Sequence, residues 1–169
     1  TTPLFGVGLV EEIPDAAILA NVRPGKLDGV RGRAHMVADV ANGRVKRVGR
    51  FGWKAQHASL LAFAGDAYLN EMGITNRFFP TENAPNGNTQ LLAELDTVVD
   101  PEDTADPVTK KADVDRLWDF MRALAPPPRQ RLSPAAATGN RTFEIIGCVI
   151  CHTPRFLTGR SRIDALSNK

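Results

Sequence analysis

Apolar positions in this chain form a few short helical stripes, separated by long stretches without a period. The chain opens on a turn that feeds a short helix, which breaks near Pro14 and resumes from Asp15 as N-cap. Residues 21–52 are rich in Gly, Arg and Val without sustained periodicity, predicting loop with a few short strands. Within them, 40–48 suits a hairpin about the two-residue turn Asn42-Gly43. Helical spacing returns over 56–72, where Leu60, Leu61, Ala64 and Tyr68 share a face, and Gly73 sits where a left-handed cap would end the helix. Residues 77–88 read as loop. The clearest stripe is Val114, Leu117, Trp118, Met121 and Leu124, predicting a helix over 113–125 capped by Asp113. Pro126-Pro127-Pro128 stops it and marks the best domain boundary. Ser133-Pro134 then starts a helix, with Ser as N-cap and Pro in the first turn, that runs to about Ile146 and ends at Gly147.

Composition narrows the class. Apolar residues make up 43% of the 169, which supports a buried core and argues against disorder. The 21 basic and 19 acidic residues leave a net charge of +2 with no basic block, so nothing points to nucleic acid. No stretch approaches the ~20 apolar residues of a membrane span. No signal peptide is visible, and a start at Thr1 fits a processed, trimmed or partial chain. Gly6-x-Gly8 lacks the third glycine and the preceding strand of a dinucleotide fingerprint.

The most informative residues are Cys148-Val149-Ile150-Cys151-His152, a CxxCH motif of the kind that attaches c-type haem. Two thiols three residues apart can be presented by one tight turn to two vinyl groups on a porphyrin edge, and the adjacent histidine can reach the iron as proximal ligand. Upstream, Gly139, Phe143 and Gly147 recur every four residues on one helical face, resembling the helix that leads into the motif in small cytochromes. Two alternatives compete. A redox disulfide pair usually sits at a helix N-terminus, whereas here the helix comes first. A zinc site needs four ligands, leaving only His35 or His57 to complete Cys148, Cys151 and His152. The expected fold class is therefore mainly α: a helical, loop-rich region over 1–128 with at most a small β-hairpin, then the start of an incomplete cytochrome c-like haem domain over 129–169.

Several strings together resemble the di-haem oxidoreductases of the bacterial cytochrome c peroxidase type. They are T-P-L-F-G-V-G-L-V-E-E-I-P-D from Thr2, G-R-F-G-W-K-A-Q-H-A-S-L from Gly49, N-E-M-G-I-T-N from Asn70, R-A-L-A-P-P from Arg122 and I-G-C-V-I-C-H-T-P from Ile146. The resemblance spans nearly the whole chain. It implies a second haem upstream of Thr1 and a chain continuing past Lys169, so that this is a piece of a longer protein or a subunit completed by another. It implies that this chain carries the electron-handling haem, with peroxide reduced or a substrate oxidised at the other. The alternative is a non-catalytic electron-transfer or accessory cytochrome of a larger complex. The implied partner is a redox protein or second haem domain, and the implied location is the periplasm or another extracytoplasmic site. The family usually takes an axial Met from downstream of the motif; Met36, Met72 and Met121 all precede it, so the sixth ligand is absent from the chain, a water, or an upstream residue.

Trp53 resembles the tryptophan between the haems of di-haem peroxidases, and Glu71-Met72 resembles the Glu-Met of the peroxide pocket. These two are the candidate catalytic residues, although a glutamine expected between them is replaced near Phe63. His57 is a candidate axial ligand and Glu11 a candidate pocket carboxylate; the plainer readings are Trp53 as core, His57 as a helix-start histidine bonded to backbone or water, and Glu11 as a favourable charge at a helix start. Trp118 reads as core and His35 as surface. The basic tail of Arg155, Arg160 and Arg162 is a solvated loop, a docking site for an acidic partner, or a partner for haem propionates. The acidic run Asp96, Asp100, Glu102, Asp103 and Asp106 could attract calcium, but lacks a recognised calcium-loop spacing and reads as solvated loop.

Overall fold

The computed structural model describes residues 3–27 and 29–169, with the side chains of 23–27 left aside. The start of the first expected turn, residues 1 and 2, lies outside them. Six helices and two hairpins follow in the order α1 (Val7–Glu11), α2 (Asp15–Leu19), β1 (Arg23–Leu27), β2 (Val30–Gly32), β3 (Met36–Asp39), β4 (Val45–Val48), α3 (Leu60–Met72), α4 (Thr89–Leu95), α5 (Asp113–Ala123) and α6 (Pro134–Ile145). The chain is mixed, 39% helical and 10% strand, rather than mainly α. β1–β2 and β3–β4 are separate antiparallel pairs, one more hairpin than expected. The described residues of 129–169 do not show the start of a cytochrome c-like domain, and α6 buries no residue.

The core lies between α3 and α5. Leu60 and Ala64 pack with Phe51, Ala112, Val114 and Met121, and Leu4 and Val7 close over them from the α1 side. α1 crosses α5 closely because Gly8 has no side chain; a Cβ there would sit 2.5 Å from the Arg122 carbonyl oxygen. The apolar stripe of α5 thus does what its spacing predicts.

Boundaries shift where side chains compete for the backbone. α3 begins at Leu60 rather than Gln56, because Ser59 is its N-cap, accepting from the Ala62 N–H at 3.2 Å, and residues before it bridge to Phe51 as extended chain. Gly73 takes the expected left-handed cap at φ 67°. Asp15 is not an N-cap, since Pro14 holds that position. Its carboxylate instead accepts from the Val48 N–H at 3.2 Å and pairs with Arg47 and Arg50, tying α2 to β4. Burial would raise its pKa, but the Val48 N–H, Arg47 and Arg50 outweigh that and hold it below the ordinary aspartate value. The β3–β4 connection is five residues, 40–44, with Gly43 and Arg44 at positive φ, instead of a two-residue turn. α5 starts from Ala112, with Asp103 accepting from the N–H groups of Asp113 and Val114, so Asp113 does not cap it. α4 falls in a segment that carried no clear helical period.

Glu11, at the end of α1, joins three helices. One oxygen accepts from the Leu60 N–H at 2.8 Å, at the start of α3; the other meets the Trp118 indole N–H at 3.2 Å and Arg122 Nε at 3.1 Å, both on α5. Glu12 beside it pairs with Arg122 Nη2 at 2.7 Å and accepts from Ser161 Oγ at 2.9 Å, bringing the C-terminal tail back onto α1. Glu11→Ala leaves the Leu60 and Trp118 N–H groups without their acceptor and removes the ion pair to Arg122, which is only 16% exposed, and should cost about 2–4 kcal/mol in urea unfolding. A loss below 0.5 kcal/mol would contradict this bridging role.

Candidate functional site

α6 delivers the CxxCH residues. Ser133 caps it, accepting from the Ala136 N–H at 3.2 Å, and Pro134 occupies its first turn. The helix stops because Gly147 takes φ 85°, a conformation that glycine adopts without Cβ strain. A 3₁₀ turn, Cys148–Ile150, follows at once. The Cys148 carbonyl accepts from the N–H groups of Cys151 at 3.2 Å and His152 at 2.9 Å, so one tight turn carries both sulfurs and the histidine. Both thiols are free, Cys148 half-buried and Cys151 exposed. The His152 ring is exposed and lies 5.9 Å from that of Phe143, centroid to centroid. Phe143, Ile145 and Ile146 leave an apolar surface at this end of α6 that other described residues do not cover.

A cleft of about 340 Å³ opens beside Cys151. Ile18 and Val22 from the end of α2, Val30 from β2, and Ile150 supply its apolar lining, with Arg31 and Arg33 on the β2 side. Thr153 Oγ donates to Asn21 Oδ1 at 3.3 Å, fastening the segment after the motif to α2. These residues carried no signal in the sequence, because they come from a stretch without periodicity more than a hundred positions upstream. No methionine is among the described residues lining this cleft, and Met121 is buried in the core.

Trp53 and Glu71 come together on a second cavity of about 540 Å³, where Gln56, Phe63, Asp66 and Met72 also form walls. Trp53 is 84% exposed, so the reading of it as core is corrected: Gly52 and Ala55 turn the chain outward on either side, both at positive φ. Glu71 is exposed at the C-terminal turn of α3. His57 precedes the helix rather than starting it. It lies in the extended segment before α3, with Nε2 3.3 Å from the Asp66 carboxylate and its ring edge-on to Phe63 and Phe79. The pairing was missed because it crosses the helix start, where sequence spacing has no fixed geometry.

The other candidates are structural. Trp118 is half-buried against the core with its N–H on Glu11, and His35 is a surface residue near the Lys54 carbonyl at 3.0 Å. In the acidic run, Asp100 accepts from Thr75 Oγ, Glu102 from the Thr75 N–H at 3.2 Å, Asp103 from the first turn of α5, and Asp106 from Val108 and Thr109. Among the described residues no three His, Cys, Asp or Glu side chains converge as a metal site. Arg160 and Arg162 line a third cleft, of about 500 Å³, that also contains Glu11 and Glu12.

Over residues 1–169 the chain matches a family model described as "Di-haem oxidoreductase, putative peroxidase". Neither the curated proteins nor the solved structures provide a significant match.

The exposure of Trp53 has an optical consequence. In a Cys148→Ala/Cys151→Ala chain, which cannot tether haem, iodide should quench Trp53 emission much more than that of Trp118, and Trp53→Phe should remove the quenchable component. Equal quenching of the two would contradict the outward placement.

Proposed function

Because the chain belongs to the di-haem oxidoreductase family, we propose that it is a c-type haem oxidoreductase segment carrying the electron-handling haem of a di-haem peroxidase. The observation that supports this most is the single turn joining both free thiols and His152, packed against Phe143. Cys148 and Cys151 would each add S–H across a haem vinyl group, forming the C–S bond and placing the proton on the neighbouring carbon. His152 would offer its ring nitrogen to the iron, with Phe143 restricting the ring's rotation. Bound haem supplies a one-electron redox change at its iron. Such attachment takes place outside the cytoplasm, so the periplasm or another extracytoplasmic site is the proposed location, and a redox protein or second haem domain the proposed partner.

Trp53 and Glu71 serve the other haem in this proposal. Glu71 would hold and return a proton at its carboxylate while peroxide is reduced, and the exposed Trp53 indole would serve as an electron relay. Their shared cavity supports this reading over an accessory cytochrome without catalysis.

A pyridine haemochrome spectrum with intact mass should find one covalent haem per chain of this segment when it is made with a haem-attachment system. Cys148→Ala/Cys151→Ala should find none. No haem on the unaltered chain would sink the attachment reading. In the full-length protein, Glu71→Gln should lower peroxide turnover about 10²-fold or more with both haems retained. Undiminished turnover would remove Glu71 from the chemistry, and no turnover by the unaltered protein would leave the accessory cytochrome.

A further inference from the structure

The geometry points to His57 as a positioning residue that fixes the Trp53 loop against α3; this rests on the reading of Trp53 as the electron relay for peroxide reduction. Trp53 is 84% exposed, so contacts of its own side chain do little to hold it, and its place at the cavity comes from the loop, residues 52–56, that carries it. One end of that loop follows Phe51, a core residue, and the other runs into His57. Their backbones close it: the His57 carbonyl accepts from the Arg50 and Phe51 N–H groups at 2.8 and 3.0 Å, and the His57 N–H donates to the Phe51 carbonyl at 3.1 Å. The His57 ring then reaches α3. Nε2 is shielded from solvent, makes no hydrogen bond among the described residues, and stands 3.3 Å from Asp66 Oδ2 as an ion-pair contact. Phe63 of α3 and Phe79 meet the ring edge-on, each with centroids 6.2 Å away. A ring nitrogen cut off from water has a strong electrostatic reason to stay on that carboxylate.

His57 is not among the described residues lining the cavity, but it joins two that are: Gln56, its neighbour in the chain, and Asp66, its partner. Asp66 is held from its own helix as well, with Oδ1 accepting from Asn70 Nδ2 at 3.0 Å. Glu71 needs no such tie, because Leu60 and Ala64 fix α3 in the core. Loss of the His57 contact therefore loosens Trp53 and leaves Glu71 in place. A second side-chain contact on the loop, His35 Nδ1 with the Lys54 carbonyl at 3.0 Å, is exposed and comes from the segment before β3.

The test uses the full-length, haem-loaded protein with hydrogen peroxide and a one-electron donor, and reads steady-state turnover together with the rate of electron transfer between the haems in a stopped-flow experiment. His57→Leu keeps an apolar side chain against Phe63 and Phe79 and removes the nitrogen. It should lower kcat at saturating peroxide, and the transfer rate with it, about 10-fold with both haems retained. It should leave kcat/KM unchanged, because proton handling at Glu71 is intact and only the relay is displaced. Glu71→Gln, by contrast, should lower kcat/KM. His57→Gln, which offers an amide N–H towards Asp66, should show a smaller loss of kcat than His57→Leu. If His57→Leu loads no haem, His57→Gln is read instead and should still lower kcat and the transfer rate together. Unchanged kcat and transfer rate in the variant that is read, or a fall in kcat/KM alongside kcat, overturns this proposal alone. Absence of peroxide turnover by the unaltered protein, or a Trp53→Phe variant with an unchanged transfer rate, overturns the relay reading and this proposal with it.

Discussion

The carboxylate of Glu11 holds the arrangement of the helices. A partly buried acid is costly unless its oxygens are used, and here they accept from a backbone N–H of α3 and an indole N–H of α5 and form an ion pair with a guanidinium of α5. That requirement fixes where α1 ends relative to both long helices. Gly8 then lets α1 close onto the α5 backbone. Arg50 works the same junction from the other side, donating to the carbonyls of Val10, Glu11 and Ile13 and pairing with Asp15, so the end of α1 and the start of α2 share one buried cation.

This framework positions the two halves of the candidate chemistry differently. The Trp53–Glu71 cavity is built on the core: α3 supplies Phe63, Asp66, Ala67, Glu71 and Met72, and α5 supplies Leu117 and Met121. The CxxCH turn is carried by α6, which buries none of its residues and meets the framework through the Thr153–Asn21 contact and the cleft along β2. An apolar helix end with so little packing gains stabilisation from whatever covers it.

Several features were legible because they depend on neighbours in the chain. The stripe of α5, the Gly73 cap, the Ser133-Pro134 start and the Gly147 stop each arise from local periodicity or from a residue's own backbone preference. The tight turn that carries Cys148, Cys151 and His152 is likewise local, closed within five residues. The misjudged positions are those where a side chain serves a distant backbone. Asp15 looked like a cap and bonds β4; His57 looked helical and pairs with Asp66 from an extended segment; the acidic run looked solvated and secures Thr75 and the start of α5.

The sequence by itself therefore determined the helices with strong stripes, the turn that presents Cys148, Cys151 and His152, and the family to which these strings belong. Only the tertiary structure decided that Trp53 faces outward on the same cavity as Glu71, that Glu11 bridges three helices, and that Cys151 shares a cleft with residues of α2 and β2. The physical reason is range. Propensity, capping and motif spacing act over a few residues, whereas a cleft or a buried ion pair is set by how separate elements pack, with contacts such as Ser161 to Glu12 spanning 149 positions.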